Sequence, residues 1–544
     1  MKRLSATTRD LINRLHTAEK SWRRLAFSVD SADELLKEIG ERAEPVAIPS
    51  IAPFLLDDRL RTAKAAARAI SRLMRRLVPA DLIQLDQEMR QRSPYLSPQW
   101  SKWHSLRPDE LNRLIDLSEA PSTSLGLASF HASGYVRQAA VEKLASFSDG
   151  RELPFLLIRL NDWVQPVRSA AKPHLSRRIV VDYAPHFVTN LALVFNLLER
   201  GRDAHRRFVE SILRLIKQPE CSDALFAGLQ SADRFVSRRC FELITEVPGV
   251  DVGAIIEQGL RAKDTMIRLW AARKARSVYK AGKLKAFLPV MWRDRFVPVR
   301  LEALSAYLEE LSEEAPSRLR AALLDVHVAI RELAQYALRK SGGFDIAAFY
   351  RDSLGNEGQS LYAAISGLGE TGSAKDAGLI LPYVSHPSPK VRRAGVQALN
   401  RLDGEAYIEL LLASLADDVP SVSRAARDAL KTRVPLIQPG QLWRVFNQST
   451  QPHTKRAVAF LIAALPKWES IPMLVRACAD SNERVSSAAR EYVHRWMRRY
   501  NRSFSQPSLR QLNLLSEALK ESDSRLEAKV VEDFRQLITS WKKA

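Results

Sequence analysis

The sequence predicts an all-α protein built as an array of stacked helical hairpins, and three observations predict it. A motif recurs about every thirty-one residues along most of the chain. Within each copy the apolar positions fall four apart, so they share one face of a helix and none of a strand. The chain also has 544 residues, more than one compact core usually organises and a length that a repeat array accommodates.

The repeat is anchored on the residue before a recurrent Arg, usually β-branched: Val136, Val167, Ala204, Val236, Ile267, Val299, Ile330, Ser360, Val391, Val422, Thr454 and Val485. Successive spacings are 31, 37, 32, 31, 32, 31, 30, 31, 31, 32 and 31. Ala204, Ser360 and Thr454 are placed by spacing and match the motif less well. Four residues on, the side chain is small in ten of twelve units, from Ala140 and Ala171 to Ala426 and Ala489, with Phe208 and Val458 the exceptions. Eight residues on stands an apolar residue such as Leu144, Leu338 or Leu430. A small side chain in mid-face lets a neighbouring helix approach closely. Upstream of each such helix runs a second apolar segment, for example 153–160, 377–384 and 407–415. Two helices of about 11 to 13 residues and two short turns fill the period.

These residues resemble HEAT repeats, in particular the short HEAT-like units of phycobilin-lyase type, over about 124–500. Such units carry an Asp in the turn ahead of a Val-Arg pair. Here Asp162 with Arg168, Asp294 with Arg300 and Asp325 with Arg331 keep a six-residue offset, whereas Asp417 and Asp480 are followed by Ser423 and Ser486. The resemblance implies a right-handed α-solenoid, a superhelix of about 12–14 hairpins whose second helices line the concave side. Residues 1–76 read as N-terminal helices with a first hairpin, 77–123 as an irregular insertion with a Pro/Trp-rich loop at 93–108, 124–500 as the regular array, and 501–544 as capping helices.

Composition narrows the function classes. A hydrophobic fraction of 46% excludes a disordered chain, and 83 Lys and Arg against 62 Asp and Glu leave a formal charge of +21. Cys221, Cys240 and Cys478 lie far apart with no CxxC spacing, which points to a reducing, cytoplasmic setting and away from a zinc site. The N-terminus lacks an apolar signal-like run, and no membrane span is expected. The ten His include no HExxH; His104 and His131, beside possible loops, read as packing or solvated residues. GLGETG at 367–372 satisfies GxGxxG, but it follows a helix and reads as the turn between units. No cofactor, metal, small-molecule substrate or catalytic motif is expected.

The recurrent Arg at the head of each second helix reads as a structural ladder with the turn Asp: Asp162, Arg168, Asp294, Arg300, Asp325 and Arg331. Charge beyond that ladder is the functional signal. Residues 261–300 hold twelve basic side chains against Asp264 and Asp294. Arg273, Arg276 and Lys280 fall at helical spacing off the apolar row and are expected to project together, with Lys274, Lys283 and Lys285 beside them. Later second helices add Arg393, Arg424, Arg427, Lys431, Arg456 and Arg490, and Arg495, Arg498 and Arg499 follow among Tyr492, Trp496 and Tyr500. Those three aromatics read as a core stripe or, alternatively, as a stacking surface for bases.

Two function classes follow. The first is a non-catalytic scaffold whose basic, inner face holds an extended polyanion, the backbone of DNA or RNA. The alternative is a scaffold for an acidic protein partner. An enzymatic class enters only by resemblance to DNA glycosylases built on similar repeats, and no residues here carry it.

Overall fold

The structure is a computed structural model and describes residues 4–23, 31–117, 120–199, 204–355, 361–502, 505–522 and 525–543. Among these residues every regular element is helical. The chain forms two compact units, 1–279 and 280–544, each a stack of helical hairpins. The anchor Ser360 lies outside the described residues.

In the second unit the hairpins pair Ala315–Leu323 with Val328–Ser341, Ile346–Ser353 with Leu361–Thr371, Ala377–Val384 with Pro389–Asp403, Ile408–Ser414 with Pro420–Leu430, Pro439–Gln448 with Pro452–Ile462, and Lys467–Ala477 with Glu483–Met497. Several second helices begin at Pro, whose fixed φ and missing N–H suit the first helical position. The anchors Val391, Val422, Thr454 and Val485 are buried, as are Gly395, Ala426 and Ala489 four residues on. Burying each Val or Leu of this face contributes roughly 1.5–3 kcal/mol. Gly395 shows why the mid-face residue is small: a Cβ there would stand 3.2 Å from the backbone of Tyr383 and Val384, on the partner helix. One continuous apolar core runs from Leu304 to Ile538, closed by Leu509–Ser522 and Ala528–Lys543.

The first unit follows the same plan through Leu153–Leu160 with Gln165–Ser176, Ser222–Leu229 with Arg234–Ile244, and Val252–Leu260 with Thr265–Val278. Three expectations need correction. Residues 93–108 do not form a loop: Pro98–His104 is a helix, capped by the Ser97 hydroxyl, and it buries Trp100 and Trp103 in the core. Ala204 is no anchor, because it is exposed ahead of helix Arg206–Ile216, which buries Val209, Ile212 and Ile216 instead. GLGETG is not a turn as a whole, since helix Leu361–Thr371 takes in its first five residues and only Gly372 lies beyond the helix end. Its glycines serve packing: a Cβ on Gly367 would strike the Tyr350 ring at 2.1 Å, and one on Gly369 would strike Ala398 Cα at 2.7 Å.

Candidate functional site

The turns come first, because they determine which cations are left for a partner. Asp417 accepts the Val419 N–H at 2.8 Å, an Asx turn that starts the second helix. The same carboxylate takes Arg392 Nε at 2.7 Å and Nη2 at 2.9 Å from the preceding unit. Arg392 Nη1 meanwhile donates to the His386 carbonyl of its own turn at 3.0 Å. One guanidinium thus ties its own turn to the next. Arg300 repeats this with Asp325 and the Asp294 carbonyl, and Arg137 with Asp162 and the His131 carbonyl.

The six-residue pairs read from the sequence do meet, but not through their carboxylates. Arg168, Arg300 and Arg331 donate to the backbone carbonyls of Asp162, Asp294 and Asp325 at 2.8, 2.8 and 2.9 Å. The carboxylates of Asp162 and Asp325 instead face Arg137 and Arg300 of the unit before. Arg331 turns its remaining donors to Glu370.

Around Asp162 the network is buried, with only Arg90 at its end reaching solvent. Arg159 Nη1 reaches Asp162 at 2.7 Å and its Nη2 reaches Asp86 at 2.5 Å, and Arg90 closes the chain on Asp86. Burial works to raise the Asp162 carboxyl, yet Arg137 and Arg159 outweigh it and hold the group below the usual carboxylate range. Sequence reading missed Asp86 and Arg159, whose pairing crosses from helix Asp81–Gln91 to helix Leu153–Leu160 with no fixed spacing to announce it. These side chains serve the fold and are spent as ligands.

The cation cluster expected at 273–285 does not form as one helical row. Helix Thr265–Val278 ends before Lys280, where Tyr279 and Lys280 adopt extended backbone, so the helical spacing stops at Arg276. Arg273, Lys274 and Arg276 belong to the first unit and Lys280, Lys283 and Lys285 to the second. Lys280 pairs with Glu310 at 2.9 Å and Lys285 with Glu314 at 2.5 Å.

Further along the second unit the charge collects on one set of helices. Pro389–Asp403, Pro420–Leu430, Pro452–Ile462 and Glu483–Met497 carry eleven Lys or Arg against four acids. Their hairpin partners Ala377–Val384, Ile408–Ser414, Pro439–Gln448 and Lys467–Ala477 carry three against two. The helices stack in succession, each on the next. Arg393, Arg424 and Arg456 sit two residues past their anchors, on the side away from the core row. Arg424 and Arg456 are exposed and make no hydrogen bond or ion pair among the described residues. Arg393 is half-buried, with Nε unsatisfied. Arg427 pairs with Asp428 and also lies 4.9 Å over the Phe460 ring, which Lys431 approaches at 5.8 Å.

At the end of the array Arg490 pairs with Glu483 and Arg495 with Glu491, while Arg498 and Arg499 are exposed. Of the three aromatics, Trp496 is buried between Trp468, Phe534 and Tyr500, so the core-stripe reading describes it. Burial pushes the thiols of Cys240 and Cys478 up to about 12, which removes them as nucleophiles. Among the described residues no group of His, Cys, Asp and Glu could hold a metal, and no helix is long and apolar enough to cross a membrane.

Residues 357–431, which overlap the start of this face, match the family model for HEAT repeats. That stretch of the chain carries HEAT repeats. No curated protein sequence matches it. Among solved structures the chain is similar to importin beta crystallised in polyethylene glycol, at 14% identity over 98% of this chain and 84% of that one, TM-score 0.32. It is also similar to the condensin Cnd3-Cnd2 subcomplex of S. pombe, at 14% identity over 98% and 79%, TM-score 0.30. A third is the Kap95:Nup1 complex, at 13% identity over 96% and 74%, TM-score 0.28. Likeness at these scores decides nothing about function.

Proposed function

We propose that this HEAT-repeat chain is a non-catalytic scaffold that holds the backbone of a nucleic acid on the second-helix face of residues 389–497. The observation that carries the reading is the pair Arg424 and Arg456: exposed, without acidic partners among the described residues, and at the same place in consecutive units. Ladder arginines such as Arg392 are consumed internally, so their recurrence needs no ligand. Arg424 and Arg456 contribute nothing visible to the stack. A charge repeated at a fixed helix-to-helix step of about 8–10 Å suits a polymer whose own charges repeat regularly, as phosphates do. An acidic protein segment has such regularity only where its sequence repeats.

The test is binding of a labelled duplex at about 50 and about 200 mM salt. Affinity is expected to fall steeply with salt, and Arg424→Ala and Arg456→Ala should each lower the salt slope by about one. Failure to bind nucleic acid at low salt, with salt-dependent capture of polyglutamate instead, would replace this reading with the acidic-protein scaffold.

A further inference from the structure

Resting on the polyanion reading, we infer that this face takes double-stranded nucleic acid by its phosphates alone and stacks no bases. Proteins that hold single strands offer open aromatic faces to successive bases. The rings on this face are closed on both sides. Phe460 and Tyr492 on these helices, and Tyr362 on the adjoining helix Leu361–Thr371, each pack against the apolar core of the second unit. Their outer sides are covered by cations: Lys390 lies 4.5 Å from the Tyr362 ring centre, Arg427 4.9 Å from Phe460, and Arg495 5.4 Å from Tyr492. A base reaching any of these rings must first displace a cation. Trp496 and Tyr500 are stacked on each other, with centres 5.6 Å apart and planes 11° apart. The open ring of Tyr336 stands on Val328–Ser341, a helix outside the four that carry the charge.

The caps also have a positive use. Held against a ring, a long side chain loses freedom before any ligand arrives, so its charge is presented at a fixed place. A rigid row of charges matches a rigid ligand. With neighbouring helices about 10 Å apart and phosphates about 3.4 Å apart along each strand of a duplex, consecutive units meet about every third phosphate. A single strand must be ordered to achieve the same match.

The experiment compares three labelled probes of equal length and matched salt: a duplex, a mixed-sequence single strand, and a single strand of abasic sites. The duplex is expected to bind at least about tenfold more tightly than either strand, and the two strands to bind alike, since removal of bases costs nothing where none are stacked. Tyr492→Leu should leave all three affinities within about twofold. Equal or tighter binding of the mixed single strand, a clear loss on the abasic strand, or a loss in Tyr492→Leu would overturn the inference while leaving the polyanion reading intact. The abasic comparison uses the unmodified protein, so it stands even if the variant misfolds. Absence of binding to all three probes would instead remove the polyanion reading itself.

Discussion

Two sets of arginines, one from each unit, have opposite fates. In the first, Arg137 and Arg159 are fully buried with Asp162 between them. In the second, Arg424 and Arg456 stand in solvent with no acidic partner among the described residues. The chemical group is the same and only its surroundings differ. A guanidinium taken out of water must be matched by carboxylates and carbonyls to be tolerated at all, and once matched it is no longer available. A guanidinium left in water costs the fold nothing and keeps its charge for a ligand. Recurrence of Arg in a repeat is therefore no guide to binding until its partners are known.

Removing the carboxylate that both buried guanidiniums share tests the first half of this contrast and carries the largest expected effect. Asp162→Ala strands Arg137 and Arg159 in the core and should cost about 3–5 kcal/mol in urea unfolding.

Next comes pH. His131 is buried and accepts the Ser133 N–H at Nδ1, at 3.0 Å, while Nε2 donates to the Trp103 carbonyl at 2.8 Å. Burial, with Arg137 and His104 nearby, pushes the imidazole down to about 4, even though its backbone hydrogen bonds work the other way. The unfolded chain thus binds a proton that the folded chain refuses. Stability attributable to this residue is whole above about pH 6.5 and is lost as pH falls toward 4, by about 3 kcal/mol, and His131→Asn should flatten the dependence.

The second unit supplies the small end of the scale. Asp417→Ala removes a turn cap and a partly exposed ion pair, for about 1 kcal/mol in the same measurement. Arg424→Ala and Arg456→Ala should change stability by less than about 0.5 kcal/mol, in contrast to their effect on binding.

Much of the ladder was readable in outline. A six-residue Asp-to-Arg offset and a period of thirty-one imply an Arg-to-Asp distance of twenty-five, the separation seen at Arg137 with Asp162, Arg300 with Asp325 and Arg392 with Asp417. Where the head position holds Ser423 or Ser486, the residue twenty-five on is Gln448 or Gln511 rather than Asp, so cation and acid disappear together. Asp480 keeps its acid and is met by Lys455 at 2.6 Å. Arg351 could not be foreseen, because it reaches Asp376 from the first helix of its hairpin rather than the second.

The sequence by itself determined the hairpins, their period and the face each second helix buries, because those follow from local spacing and side-chain size. Only the tertiary structure decided which charges remain for a partner. Whether a guanidinium is spent depends on carboxylates brought up from other elements, as Asp86 is to Arg159. Such partners are set by how helices stack, and a charge is available only where that stacking leaves it in water.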